Sequence, residues 1–106
     1  LNAFSNDGRK VFVFGDMLEL GNESKEQHQK IGEKCSTLKI DVVYTIGEQT
    51  IHVNSKIHND ALSKHFKCKS LLINSLKKII IPGDKILFKG SRSMKMEEVI
   101  EGVFKD

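Results

Sequence analysis

The chain has 106 residues, 39% hydrophobic and 29% charged, with a formal net charge of +3. That composition is enough for one domain with its own core, and the charge is too balanced for a disordered chain. No apolar run approaches the roughly 18 residues of a membrane helix, residues 1–10 lack the n- and h-regions of a signal peptide, and Cys35 and Cys68 lie too far apart for a CxxC zinc or disulfide framework.

Elements follow one another with glycine punctuation. Lys10-Val11-Phe12-Val13-Phe14, ended by Gly15, reads as a strand buried on both faces. After the loop Asp16–Asn22, Ser24 and Gln27 make a capping box with Ser24 as the helix cap. His28, Ile31, Cys35 and Leu38 then form one apolar helical stripe. Val42–Ile46, ended by Gly47, is the second strand, and a short helix runs through Ile51 to Ile57. A short strand is expected around His65–Cys68. Over residues 70–81, the spacing of Leu72, Leu76, Ile79 and Ile80 predicts a helix that Pro82-Gly83 stops. Ile86-Leu87-Phe88 is the last strand, followed by the loop Lys89–Ser93. The final helix carries Met96, Val99, Ile100, Val103 and Phe104 on one face, with Ser93 as its expected cap.

Apolar strands alternating with helices predict an α/β fold. It is Rossmann-like and doubly wound, with a mostly parallel sheet of about four to five strands and helices on both faces. Such sheets bind ligands outside the carboxyl ends of their strands. Those ends are the loops beginning at Gly15, Gly47, Cys68 and Lys89.

The loops carry no GxGxxG and no GK[ST], so this domain alone encodes no dinucleotide or P-loop phosphate site. Asp16 either meets a ligand or closes a turn on backbone amides. Lys89-Gly90-Ser91-Arg92-Ser93-Met94-Lys95 places hydroxyls and cations at a strand mouth ahead of a helix, which suits a carboxylate or phosphate. His28, His52, His58 and His65 show no metal-binding spacing, with His28 expected beside the helix–sheet contact. Both cysteines are read as free, buried thiols of a reducing cytoplasm.

Charge is uneven, with 6 Lys/Arg against 8 Asp/Glu in residues 1–53 and 11 against 6 in residues 54–106. The basic half is lysine-rich, with 2 arginines in the whole chain and few interleaved aromatics, which argues against nucleic acid. A phospho-receiver domain fails as well, because no Asp follows Ile46 and Lys-Gly stands where Lys-Pro would be needed.

Val13-Phe14-Gly15-Asp16-Met17-Leu18-Glu19-Leu20-Gly21, with Glu23-Ser24 and His28, resembles the "LGDMLELG…S…H" segment of the Mur ligases. Asp41–Gly47 is similar to that family's third strand. Pro82-Gly83-Asp84 through Lys89–Glu97 is similar to its closing "PGD…VKGSRSMKME" segment. The resemblance is to the C-terminal domain of the type that joins D-Ala-D-Ala to a UDP-linked muramoyl tripeptide in cell-wall peptidoglycan synthesis.

It implies a three-domain, monomeric, cytoplasmic bacterial enzyme. ATP phosphorylates the tripeptide carboxylate, and the dipeptide amine attacks the acyl phosphate. Magnesium and a carbamylated lysine belong to the central domain. The C-terminal domain would close over the central ATPase and N-terminal UDP-binding domains. On this resemblance Asp16, Met17, Lys89, Ser91, Arg92, Ser93 and Lys95 would lie near the dipeptide or the phosphates, with Gly15 and Gly47 toward the cofactor.

The departure is at the start. A "YNANP"-like strand and most of a first helix are lacking, with Leu1–Phe4 as that helix's end, so residues 1–106 read as one domain cut from a longer chain. Alone it is expected to bind no ATP or magnesium and to hold no catalytic residue or metal ligand. Neither nucleic acid nor membrane is expected as a partner, and the alternative is a free-standing α/β module that binds small anions without catalysis.

Overall fold

A computed structural model describes residues 8–17, 24–57 and 62–105. Its elements are β1 (Lys10–Gly15), α1 (Ser24–Thr37), β2 (Val42–Ile46), α2 (Ile51–Asn54), β3 (Leu62–Phe66), α3 (Lys69–Ile79), β4 (Lys85–Lys89), a 3-10 turn (Arg92–Met94) and α4 (Met96–Phe104). All strand pairs are parallel and the order is β3-β2-β1-β4. The expected α/β doubly wound sheet is present, with four strands among the described residues.

The alternation of strand side chains sorts two cores. Val11, Val13, Val42, Tyr44 and Ile46 pack with Leu72 and Leu76 of α3 and with Met96, Val99 and Val103 of α4. Phe14 and Val43 pack on the opposite face with Cys35 of α1 and Val53 of α2. The central strands β1 and β2 pack side chains on both faces, which is why Val11–Phe14 and, Thr45 apart, Val42–Ile46 are apolar without alternation.

The chain first winds from β1 through β2 to β3 with α1 and α2 on one face. It then crosses back through α3, on the other face, to β4. Right-handed crossovers require that change of face when the direction reverses. The reversal falls between β1 and β4, and their carboxyl ends form the crevice where such folds bind ligands.

Several expectations shift. The third strand is Leu62–Phe66, ahead of the expected His65–Cys68, and Cys68 is exposed at the start of α3, where it was expected to be buried. Leu38 lies just past α1 and is 46% exposed, so the helical stripe stops at Cys35. Ser24 is a helical residue whose hydroxyl lies 3.2 Å from His28 Nδ1. On α4, Ile100 and Phe104 are exposed, and Phe104 meets Phe88 edge-on at 6.4 Å. Ser93 does not cap α4. The 3-10 turn includes it, and Lys95 occupies the cap position in the left-handed region at φ 50°.

The amino end of the sheet is closed by a clamp. Arg9 donates from Nε and Nη2 to the Asp84 carboxylate at 3.1 and 2.8 Å, and from Nη2 to the Ile79 carbonyl at 2.7 Å. The Ile81 amide donates to the same carboxylate at 3.0 Å. These bonds tie β1 to the Pro82-Gly83 turn. The Arg9 guanidinium holds the Asp84 carboxyl below the usual carboxylate range. A carboxylate so depressed adds stability above its unfolded pKa, and that stability is lost as pH falls below about 4. Asp84→Asn is expected to cost about 1–2 kcal/mol at neutral pH and to flatten the acid limb of stability against pH, as followed by urea unfolding. An acid limb unchanged in the variant would contradict this.

Candidate functional site at the carboxyl ends of the strands

Three loops meet where β1, β2 and β4 end, and Asp16 joins them. Its carboxylate accepts from the amides of Glu48 at 2.8 Å and of Gln49 and Thr50 at 2.9 Å each. Its carbonyl accepts from the Ser91 amide at 3.0 Å. Asp16 is 4% exposed. Of the two readings the sequence leaves open, the turn-closing one describes where its oxygens point. A short polar side chain directly after a buried strand reaches the next loop because β1 and β2 are adjacent and in register, with Gly15 opposite Ile46.

Glycine is needed at each junction. Gly47 has φ +123°, and a Cβ there would stand 2.3–2.8 Å from the Asp16 carboxylate. A Cβ on Gly90 would lie 3.0 Å from Met96 Cγ and 3.2 Å from Gly15 Cα, so the ends of β1 and β4 approach closely. The space at Gly47 is therefore filled from inside the domain.

Met17 is fixed by a histidine that spacing rules do not single out as functional. Its amide donates to His28 Nε2 at 3.2 Å, while Nδ1 lies 2.6 Å from the Ser24 carbonyl. An accepting Nε2 leaves the proton on Nδ1, which donates to Ser24. His28 is fully buried. The sequence signal was its place on the apolar stripe. Leu18–Glu23 of the same loop lie outside the described residues.

Of the remaining candidates, Ser91 is buried, while Lys89, Arg92, Ser93 and Lys95 are exposed around the mouth of β4. Lys89 closes β4 itself, and Arg92 and Ser93 sit on the 3-10 turn. The structure thus gathers Gly15, Asp16, Met17, Gly47, Lys89, Ser91, Arg92, Ser93 and Lys95 at one end of the sheet. Buried members make the frame and exposed cations form its outer surface. The ion pairs found among the described residues, Arg9–Asp84 and Lys69–Glu98, do not engage Lys89 or Arg92. No three His, Cys, Asp or Glu side chains converge among the described residues. Cys35 lies elsewhere, and burial pushes its thiol up to about 11.

This frame has relatives. Residues 1–92 match the family described as Mur ligase, glutamate ligase domain. The chain belongs to the Mur ligase family. The UDP-N-acetylmuramoyl-tripeptide–D-alanyl-D-alanine ligase of Buchnera aphidicola subsp. Acyrthosiphon pisum is 41% identical over 101 residues, which are 93% of this chain and 22% of that protein. The Escherichia coli K12 ligase of the same name is 39% identical over 98 residues, 91% of this chain and 21% of that one.

Solved MurF structures share the fold. One from Acinetobacter baumannii superposes with a TM-score of 0.81 at 28% identity, covering 93% of this chain and 23% of its own. MurF from Thermotoga maritima in complex with ADP gives 0.73 at 30% identity, covering 91% and 22%. This Mur ligase domain spans about a fifth of the length of the relatives it matches.

On the α1 face, a groove of about 520 Å³ runs over β1 and β4 between Phe12, Phe14 and Leu87 on the sheet and Ile31 and Leu38 beside it. Leu87 is 45% exposed there. The opposite face of the same strands is covered by α3 and α4.

Proposed function

We propose that this domain is the C-terminal wall of an ATP-dependent ligase that joins D-Ala-D-Ala to UDP-N-acetylmuramoyl-tripeptide in peptidoglycan synthesis. The observation that carries the reading is the tying of three loops by Asp16 at the strand ends, with Lys89, Arg92 and Lys95 exposed outside that frame. Named relatives at 39–41% identity support the substrate class.

The cations suit the phosphates of a nucleotide or the carboxylate of a dipeptide. ATP would supply the activating phosphoryl group, and these side chains would hold and neutralise anionic oxygens beside it. The family resemblance gives the magnesium ion to the central domain, so the other domains of the enzyme would hold it. Those domains are the proposed partners. No helix among the described residues is long and apolar enough to cross a membrane, and the reading places the enzyme in the cytoplasm, beside its ATP supply.

Arg92→Ala in the full-length ligase tests the loop. The Michaelis constant for D-Ala-D-Ala is expected to rise about tenfold, the loss of one charge-assisted contact. A change in ATP affinity with the dipeptide constant untouched would overturn its acceptor role. This chain alone, given ATP, magnesium and both substrates, is expected to release no phosphate.

The groove supports one further part of the reading. A parallel strand outside β4, joined to β1 by a right-handed crossover, would carry its helix over the α1 face, the face on which Leu87 is exposed. We propose that the full-length enzyme fills the groove in this way. Leu87→Lys is then expected to be nearly neutral in this chain and to cost about 2–4 kcal/mol in the full-length ligase. Equal effects in both would contradict it.

A further inference from the structure

A polar chain beneath α2 remains outside the frame built by Asp16. Asn54 Nδ2 donates to Ser63 Oγ at 2.8 Å, which turns the amide oxygen toward Thr45. The Thr45 hydroxyl donates to that oxygen at 2.5 Å. A hydroxyl has one proton, so Thr45 Oγ1 can meet His65 Nδ1, 2.7 Å away, only as an acceptor. The ring proton of neutral His65 is therefore on Nδ1, and the lone pair is on Nε2. Thr45 is fully buried, so solvent does not compete for these bonds.

The chain joins β2 through Thr45, α2 through Asn54, and β3 through Ser63 and His65. Burial opposes protonation of the His65 ring and outweighs the neighbouring Asp16 charge and Gly47 backbone, which favour it. Thus the Gly47–Thr50 loop is held from β1 by a carboxylate and bordered from β3 by an imidazole.

We propose that His65 is a positioning residue, fixing the β3 side of the Gly47–Thr50 loop as an Nδ1–H donor to Thr45, so that the loop is already shaped when the ligase closes on its nucleotide. The role rests on the reading of these loops as the ligase's closing wall. Asparagine places an amide near the Nδ1 position, and glutamine places one near Nε2. Only the first can replace the donor to Thr45.

Two measurements test it. Long-range nitrogen–proton spectra of histidine-labelled chain at mildly alkaline pH are expected to show His65 with a protonated Nδ1 and an unprotonated Nε2. In the full-length ligase, His65→Asn is expected to stay within about twofold of wild type. His65→Gln is expected to raise the KM for ATP about five- to tenfold with a smaller change in kcat, the loss of one net hydrogen bond. An Nε2-protonated ring would reverse the polarity of the whole chain and overturn the proposal, as would equal losses in the two variants. Unaffected kinetics in both variants, with the tautomer as expected, would instead remove the ligase role and leave the hydrogen-bond chain standing.

Discussion

Replacing Asp16 by alanine is expected to cost about 3 kcal/mol or more of folding stability, because three backbone amides lose their acceptor at once and each unsatisfied buried donor costs about 1–3 kcal/mol. The Thr50 amide is buried, and those of Glu48 and Gln49 are partly so. Relaxation of the loop toward water recovers some of the loss, which keeps the expected value near the low end of the sum. Asp16→Asn separates geometry from charge. One oxygen of the new amide can still face Gln49 and Thr50, but its NH₂ must then confront the Glu48 N–H. An intermediate loss of about 1–2 kcal/mol follows. Urea unfolding of the three proteins checks the order wild type, Asn, Ala. An alanine variant within 0.5 kcal/mol of wild type, the range of an ordinary surface change, would remove Asp16 from the centre of the frame.

Gly32→Ala is expected to destabilise the domain by about 2–3 kcal/mol, although it puts the best helix former into the interior of α1. Helix propensity alone favours alanine there by about 1 kcal/mol. The opposing contact is harder. A Cβ on Gly32 would stand 2.2 Å from the Val53 carbonyl oxygen and 3.0 Å from the Val53 carbonyl carbon. Both are backbone atoms, which cannot swing aside as a flexible side chain would. Helix α1 would have to move off α2, opening the core shared by Cys35, Val43 and Val53. Shifting α2 also disturbs the loop that Asp16 holds at its entrance. A lowered urea midpoint is the expected result, and an alanine variant as stable as wild type would show that the helices are not packed this closely.

The central strands were legible because burial on both faces leaves a nearly continuous apolar run, as in Val11–Phe14 and, with Thr45 as the polar exception, Val42–Ile46. The edge strand β3 was misplaced because Leu62-Ser63-Lys64-His65-Phe66 is half exposed and carries no such run. Its place follows from pairing with β2, which is information from elsewhere in the chain. The loop Lys89–Lys95 could be identified by its residue chemistry, but the assignment of Ser93 as cap failed because the 3-10 turn carries the helix start to Lys95. Asp16 could be singled out, yet its partners lie 32–34 residues away, beyond any local rule. The Thr45–Asn54–His65 chain was invisible for the same reason, since its members come from three different elements.

The central claim is that three loops at the carboxyl ends of one sheet, held together by Asp16, form the surface this domain turns toward the ligase's substrates. Amide hydrogen exchange of the full-length enzyme, with and without ATP and its two other substrates, tests it most directly. The account predicts that added protection within this domain concentrates at 15–17, 47–50 and 90–95. Protection confined instead to the amino ends of the strands, around the Arg9–Asp84 clamp, would contradict it.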